Sequence, residues 1–342
     1  MLAVVKEQAG PGFELRDVPI PTVGSHDVLI KTRACSICGT DLHIYKWDQW
    51  SANRIHPPLV VGHEFSGDVV EIGSEVTNTK VGDLVSAESH IVCNQCDECR
   101  TGNAHVCRNT RIIGVDCNGC FAEYVCIPAQ NVWVNPPDMP SDIASLQENF
   151  GNSVHVALAT PLVSRDVLVS GCGPAGLMTI AVARACGAHR IYASDLSEYR
   201  LNLAEKLGAH VTIRADQQNL VKTVRTATGG EGVDVLLEMS GAPSAIRDGL
   251  ASLKHAGKAV MLGLPSKPFE LDLGNLVIMS GVQVIGIAGR ELWQTWYQMR
   301  GLLSTGVVDL KPVITHHFKL SEFQQAFEVM ASGNSGKVIL TP

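Results

Sequence analysis

No run of lysine and arginine occurs anywhere in the 342 residues, and acidic residues outnumber basic ones by 34 to 27. The formal net charge of -7 gives no overall attraction to nucleic acid or to an anionic membrane. Long apolar runs are missing too. The longest uncharged stretches, Val167 to Ala183 and Leu273 to Gly289, are interrupted by glycine. Both fall short of the ~18–20 apolar residues that a bilayer span needs. The opening residues, Met1-Leu2-Ala3-Val4-Val5-Lys6-Glu7, lack the basic region and long apolar region of a signal peptide, so the expected compartment is the cytoplasm. Repeats and low-complexity segments are absent. The 11 cysteines cannot all pair, and a reducing compartment excludes a disulfide framework, so any clustered cysteines point to metal.

What remains is a globular chain with two textures, and its length suits about two domains. From Met1 to about Pro140, short apolar runs alternate with turn residues and cysteine. Val28 to Thr32 and Phe65 to Ile72 read as strands bounded by turn formers, which predicts a mainly β domain. From about Ser141 the pattern becomes strand–helix alternation. Strands are expected at Val167-Leu168-Val169, Arg190 to Ala193, Val233 to Leu237, Lys258 to Leu262 and Val282 to Ile285. Helices are expected at Leu177 to Ala185, Tyr199 to Leu207 and Ala245 to Leu253, with Gly187, Gly208 and Gly257 at helix C-caps. Such alternation predicts an α/β, doubly wound parallel sheet. A terminal helix, Phe323 to Met330, and strand, Lys337 to Leu340, break the rhythm and are expected to return to the first domain.

The strongest local signal is Cys93-x2-Cys96-x2-Cys99-x7-Cys107. Four thiolates can enclose one tetrahedral Zn²⁺, and a closed protein set leaves no position for a substrate, so this zinc is expected to be structural. Spacing alone leaves open a chance group of buried thiols and an iron–sulfur site. Cys117-x2-Cys120 has no second pair, and it joins Cys35, Cys126, Cys172 and Cys186 as expected ordinary buried cysteine. Cys38, His63 and Glu64 form a second set offering one sulfur, one nitrogen and one oxygen. Three protein ligands and an open position suit a catalytic zinc that acidifies an alcohol. Singly, each of the three reads as an ordinary turn residue; their weight lies in occurring together.

Gly171-Cys172-Gly173-Pro174-Ala175-Gly176 follows a predicted strand and opens a predicted helix. The first glycine permits the tight turn, the second lets backbone approach a pyrophosphate, and the third lets helix and strand pack closely. The helix N-terminus then offers free N–H groups to the phosphates. Asp195 ends the next strand about 20 residues on, where a carboxylate binds the adenosine ribose hydroxyls. That charge repels a 2′-phosphate and so favours NAD over NADP, while Arg200, a turn later, can pack on the adenine or ribose side.

On these residues the chain resembles the zinc-containing medium-chain alcohol dehydrogenase superfamily. The likeness spans the chain and rests on Cys38-Gly39-Thr40-Asp41-x-His43, on Gly62-His63-Glu64 with Gly67, Gly73 and Val76, on the four-cysteine lobe and on the glycine turn. Within it, His90-Ile91-Val92-Cys93, Phe150-Gly151-Asn152-x-Val154-His155, Gly289-Arg290-Glu291 with Thr295-Trp296-Tyr297, and Ser335 to Leu340 are most similar to the family that oxidises the 3-hydroxyl of L-threonine to 2-amino-3-oxobutanoate with NAD. The resemblance implies a mainly β GroES-like catalytic domain over 1–148 with its zinc lobe at about 90–110, a Rossmann-type NAD-binding domain over 149–292, and a return over 293–342.

It also implies two zinc ions per chain, the catalytic one on Cys38, His63 and Glu64 with Glu148 nearby. Thr40 and His43 are implied as a proton relay that runs by way of the nicotinamide ribose. Gly171, Gly173, Ala175, Gly176, Asp195, Arg200, Leu262, Gly263, Leu264, Ile287 and Ala288 are implied to line the NAD site, in a homotetramer acting on a small molecule. Arg290 is the candidate for the substrate carboxylate. Four positions depart from the family pattern: Asn94 replaces a glycine, Asn149 a proline, Ala175 a larger aliphatic and Ala288 a tyrosine. The alternatives are a polyol or 2,3-diol dehydrogenase of the same superfamily and, more remotely, a non-catalytic zinc-binding protein.

Overall fold

A strand needs a polar or paired edge on each side, and Asp27–Ser36 has three partners to fill its two edges. The computed structural model describes residues 1–342, in two units: Met1–Asn149 with Ile314–Pro342, and Phe150–Val313. In the first unit Asp27–Ser36 buries Val28, Leu29, Ile30, Ala34 and Cys35. Glu64–Ile72 pairs antiparallel along its length, while Tyr124–Pro128 takes the first half of the other edge and Lys337–Thr341 the last two residues. Register shifts at Leu29/Ile30 and Thr32/Ala34 mark bulges, which bend a sheet. The seven-stranded sheet is completed by Leu84–Ala87, Val132–Val134 and Ile314–Lys319. A three-stranded sheet of Glu14–Asp17, Leu2–Lys6 and Leu59–Val60 accompanies it.

The helix Phe323–Ala331 buries Phe323, Ala326, Phe327 and Met330, the i, i+3, i+4, i+7 stripe of an amphipathic helix. Those side chains join the core of Val4, Phe13, Ile30, Phe65 and Phe121. The chain rejoins this unit at Ile314, not at 293. The intervening segment spends its apolar side chains on the second unit: Trp296, Met299, Val308, Leu310 and Val313 are buried, and the turn Lys311–Val313 packs on helices Pro174–Ala185 and Glu198–Leu207.

The second unit holds six parallel strands in the order Val211–Arg214, Arg190–Asp195, Asp166–Ser170, Val233–Glu238, Leu253–Met261, Gln283–Gly286. In sequence order this is 3-2-1-4-5-6, the dinucleotide-binding arrangement. Asp166–Ser170 and Val233–Glu238 lie mid-sheet, which is why they read as continuous apolar runs. Val211–Arg214 and the helix Leu220–Ala227 gave no such pattern; a four-residue edge strand buries only one full side chain, Ile213. Gly187 and Gly208 have φ of 79° and 117°, as residues just past a helix end do. Gly257, expected at a helix C-cap, instead lies within the strand Leu253–Met261. There a Cβ would sit 2.9 Å from the Lys254 carbonyl oxygen. No helix is long and apolar enough to cross a membrane.

Asp234 ties the central strands together. It accepts the Asp166 N–H at 2.8 Å, pairs with Arg165 at 3.1 Å and contacts Lys254. Burial pushes its carboxyl up, but Lys254, the Asp166 N–H and Arg165 outweigh burial and hold it below the usual carboxylate range. A depressed carboxylate stabilises the fold above its unfolded pKa and loses that contribution as pH falls through the folded one. Asp234→Asn is therefore expected to cost about 1.5 kcal/mol at neutral pH. The gap to the parent, read from urea unfolding, closes as pH drops below about 4; a gap that widens in acid contradicts this account.

Candidate metal centres and dinucleotide site

Strand register assembles the open metal set. Ser36 pairs with Glu64 and also with Ile339, so the ends of three strands meet where Cys38 leaves the first of them. Cys38 then starts the helix Gly39–Lys46, and the fully buried Asp41 accepts the Cys38 N–H at 2.8 Å. The other Asp41 oxygen lies 3.4 Å from His63 Nδ1, and neither of those two atoms has a hydrogen bond. One buried carboxylate thus backs two candidate ligands, as carboxylates commonly do behind ligating histidines. Burial opposes protonation of His63, but Asp41 and the Cys38 sulfur outweigh it and push the imidazole pKa well above its ordinary value. Ligand atoms of Cys38, His63 and Glu64 lie within 4.8 Å of one another, and a sulfur, nitrogen and oxygen set suits zinc.

Glu64 is also held from behind. The fully buried Lys337 Nζ donates to its two carboxylate oxygens at 2.6 and 2.5 Å, and the Ser36 hydroxyl donates to Oε2 as well. Complete burial pushes the Glu64 carboxyl up, and the Lys337 ammonium opposes that. Glu148 is buried nearby, its charge acts on Glu64, and it accepts the Ser89 hydroxyl at 2.5 Å. Asn149, the proline replacement, directs Nδ2 at the Cys38 sulfur from 3.7 Å. Thr40 Oγ1 lies 3.8 Å from the Cys38 sulfur. His43 follows three residues on, hence on the same helix face, with its side chain 59% exposed.

The four-cysteine lobe has the dimensions of a filled tetrahedron. Its sulfurs are 3.5 Å apart for Cys96–Cys99 and Cys93–Cys107, and 3.7 Å apart for Cys96–Cys107. A tetrahedron with ~2.3 Å zinc–sulfur bonds has edges of about 3.8 Å. All 11 cysteines are free thiols. The N–H of Asn109 and its Nδ2 point at the Cys107 and Cys93 sulfurs from 3.4 and 3.5 Å. Asn94 has φ of 57°, the left-handed region that glycine enters freely and asparagine tolerates. Of the other cysteines, Cys35, Cys120 and Cys172 are buried as expected, whereas Cys117, Cys126 and Cys186 are only half-buried.

In the second unit the glycine turn has the required shape. A Cβ on Gly176 would lie 1.9 Å from the Gly171 carbonyl oxygen, so helix and strand touch through that glycine. Gly173 caps the helix Pro174–Ala185 and has no atom within 4 Å of its would-be Cβ, the open cradle a pyrophosphate needs. Asp195 accepts the Cys172 N–H at 2.7 Å and the Ser197 N–H at 2.8 Å, leaving lone pairs for ribose hydroxyls. Ala175, Arg200, Leu262, Gly263, Leu264, Ile287 and Ala288 all follow C-terminal strand ends, Leu264 being 90% exposed. Ligands of open α/β sheets bind at such ends. Arg290 is buried and donates to Asn152 Oδ1 at 3.2 Å.

The Alcohol dehydrogenase GroES-like domain family matches residues 24–137, and the Zinc-binding dehydrogenase family matches residues 174–305. The chain is 53% identical to an L-threonine 3-dehydrogenase of Symbiobacterium thermophilum, covering 100% of this chain and 98% of that one. It is 51% identical to an L-threonine 3-dehydrogenase of Bacillus subtilis, with 100% and 99% coverage. The chain belongs to the L-threonine 3-dehydrogenase family. Its fold matches the crystal structure of 2R,3R-butanediol dehydrogenase from Bacillus subtilis with a TM-score of 0.90, 27% identity, and 100% and 99% coverage.

Several residues that complete this L-threonine 3-dehydrogenase scaffold carry no local sequence signal. Ser36 and Lys337 owe their places to register; Lys337 lies 273 positions from Glu64. Glu238 is fully buried at a strand end, where it accepts N–H groups of Ser240 at 3.0 Å and Gly241 at 3.1 Å. Burial pushes its carboxyl up against those bonds. A buried acid flanked by Met239 and Ser240 looks, in sequence, like any strand end.

Two outcomes are expected. Lys337→Met leaves a buried carboxylate unpaired and costs about 3 kcal/mol or more in urea unfolding. Adding Glu64→Gln recovers most of that loss, so an unchanged midpoint for the single variant contradicts the pairing. Gly176→Ala forces strand and helix apart; NADH binding followed by fluorescence is lost while zinc content stays at the parent value.

Proposed function

We propose that the chain oxidises the 3-hydroxyl of L-threonine to 2-amino-3-oxobutanoate, with hydride transfer to NAD and zinc held by Cys38, His63 and Glu64. The observation that carries this reading is the open three-ligand set, on a chain that also bears the glycine turn and Asp195. Full-length similarity to L-threonine 3-dehydrogenases supplies the substrate.

When bound, zinc supplies the Lewis acidity that eases loss of the hydroxyl proton, and NAD supplies the hydride acceptor. The chain's residues do the rest. Asp41 orients Cys38 and His63 together. Lys337 and Ser36 hold Glu64, and Glu148 beside it adjusts the charge of the set. Thr40 takes up the leaving proton, and His43 hands it to water. Asp195 accepts the ribose hydroxyls, and its charge disfavours a 2′-phosphate. Cys93, Cys96, Cys99 and Cys107 hold the structural zinc, whose closed set takes no part in the reaction. Thus the enzyme takes two zinc ions per chain.

Self-association is part of the proposal, with a homotetramer as the expected state. The last strand of the parallel sheet, Gln283–Gly286, has a free edge and exposes Val284 at 52%, near Ile278 at 72% and Met279 at 76%. Exposed edge strands and apolar patches are surfaces that proteins cover.

A 2,3-diol reading is favoured by the fold match to the butanediol dehydrogenase. Initial rates with NAD and L-threonine, 2,3-butanediol or sorbitol separate the two. L-threonine is expected to give the highest kcat/KM; a diol ahead by about a hundredfold ends the threonine assignment. Cys38→Ser is expected to abolish turnover with all three while leaving the unfolding midpoint in place.

A further inference from the structure

A relay histidine needs one ring nitrogen protonated and the other free, and water alone does not set the choice the relay requires. Neutral histidine in water favours the proton on Nε2. His43 lies in the last turn of the helix Gly39–Lys46, which Trp47 closes with a left-handed backbone, φ 55°. The turn brings Asp48 back beside the imidazole, and Asp48 also caps the next helix, Gln49–Arg54. One carboxylate oxygen, Oδ1, accepts the Ser51 N–H at 3.0 Å and the Ser51 hydroxyl at 3.1 Å. Ser51 is fully buried, so that oxygen is anchored in the fold. The other, Oδ2, lies 2.5 Å from His43 Nδ1. Trp50, in the same short helix, meets the ring edge-on at 6.4 Å.

Partial burial pushes the Asp48 carboxyl up, but hydrogen bonds from Ser51 and His43 outweigh it and hold the group below the usual carboxylate range. It is therefore ionised at neutral pH and can only accept. An acceptor at Nδ1 places the proton there and leaves Nε2 with the lone pair. We propose that Asp48 is a positioning residue for His43: it fixes the Nδ1–H tautomer and the ring orientation, so that Nε2 receives the proton passed on by Thr40. In a Ser-His-Asp triad a carboxylate likewise holds one imidazole nitrogen while the other moves the proton. Here the histidine stands at the surface, where the proton passes on to water. The inference rests on the reading of His43 as the relay group.

Serine at position 48 keeps the helix cap but is too short to reach His43. In the holoenzyme, ring ¹⁵N shifts of histidine-labelled protein are expected to report Nδ1–H for His43 in the parent and mainly Nε2–H in Asp48→Ser. In that variant kcat falls about tenfold, while KM for NAD, zinc content and the unfolding midpoint stay at parent values. In Asp48→Asn the one acceptor oxygen is claimed by the Ser51 N–H and the amide NH2 faces His43 Nδ1, so that variant is expected to show the Nε2–H tautomer and the same slow turnover. An Nδ1–H tautomer in Asp48→Ser, or an unchanged kcat, overturns the proposal. His43→Ala separates the two ideas. Parent-level turnover in His43→Ala removes the relay reading itself, whereas a slow His43→Ala beside a fast Asp48→Ser removes only the role of Asp48.

Discussion

The contact on which the first unit's chemistry depends is the buried pair of Glu64 and Lys337. A carboxylate cannot stay ionised in an apolar interior without a countercharge, and the nearby Glu148 raises the demand. The countercharge arrives on a strand that closes one edge of Asp27–Ser36. Pairing that strand in register therefore does two things at once: it seals the sheet over Phe327 and Leu340, and it sets an ammonium against a candidate metal ligand. Core packing and site electrostatics are here a single structural event, so damage to either is felt by both.

The two metal sets differ in what supports them. The lobe's four thiols come from one short segment, with its own backbone and Asn109 pointed at the sulfurs, and little apolar surface is spent on it. The open set draws on residues far apart in sequence and is embedded in the core, with Asp41 and Glu64 fully buried. A local closed set suits a clamp on a loop; a dispersed, rigid, three-point set suits chemistry, because its geometry is fixed by the whole unit.

How much of this could be read from the sequence follows from the range of each interaction. The glycine turn and the cysteine lobe are local, so spacing alone revealed them. The parallel sheet followed from strand–helix alternation, whereas its strand order came from the structure, and the edge strand Val211–Arg214 escaped because a run that short has almost no period. The return of the chain was anticipated too early, since Trp296 and Met299 look as apolar as Phe323 and Phe327 and sequence does not say which core they serve. Lys337 and Asp48 stayed silent for a different reason. An acid or a lysine reads as a solvated surface residue until register or a turn brings its partner alongside.

The lateness of Lys337 in the chain has a consequence for biogenesis. Synthesis delivers Cys38, His63 and Glu64 well before the ammonium that balances Glu64, which follows 273 residues later. Until Lys337 has been made, the chain carries every sulfur, nitrogen and oxygen donor of the open set around a carboxylate without that countercharge. The electrostatics around Glu64 are therefore complete only once Lys337 has joined the sheet, whereas the four thiols of the lobe lie within one short segment.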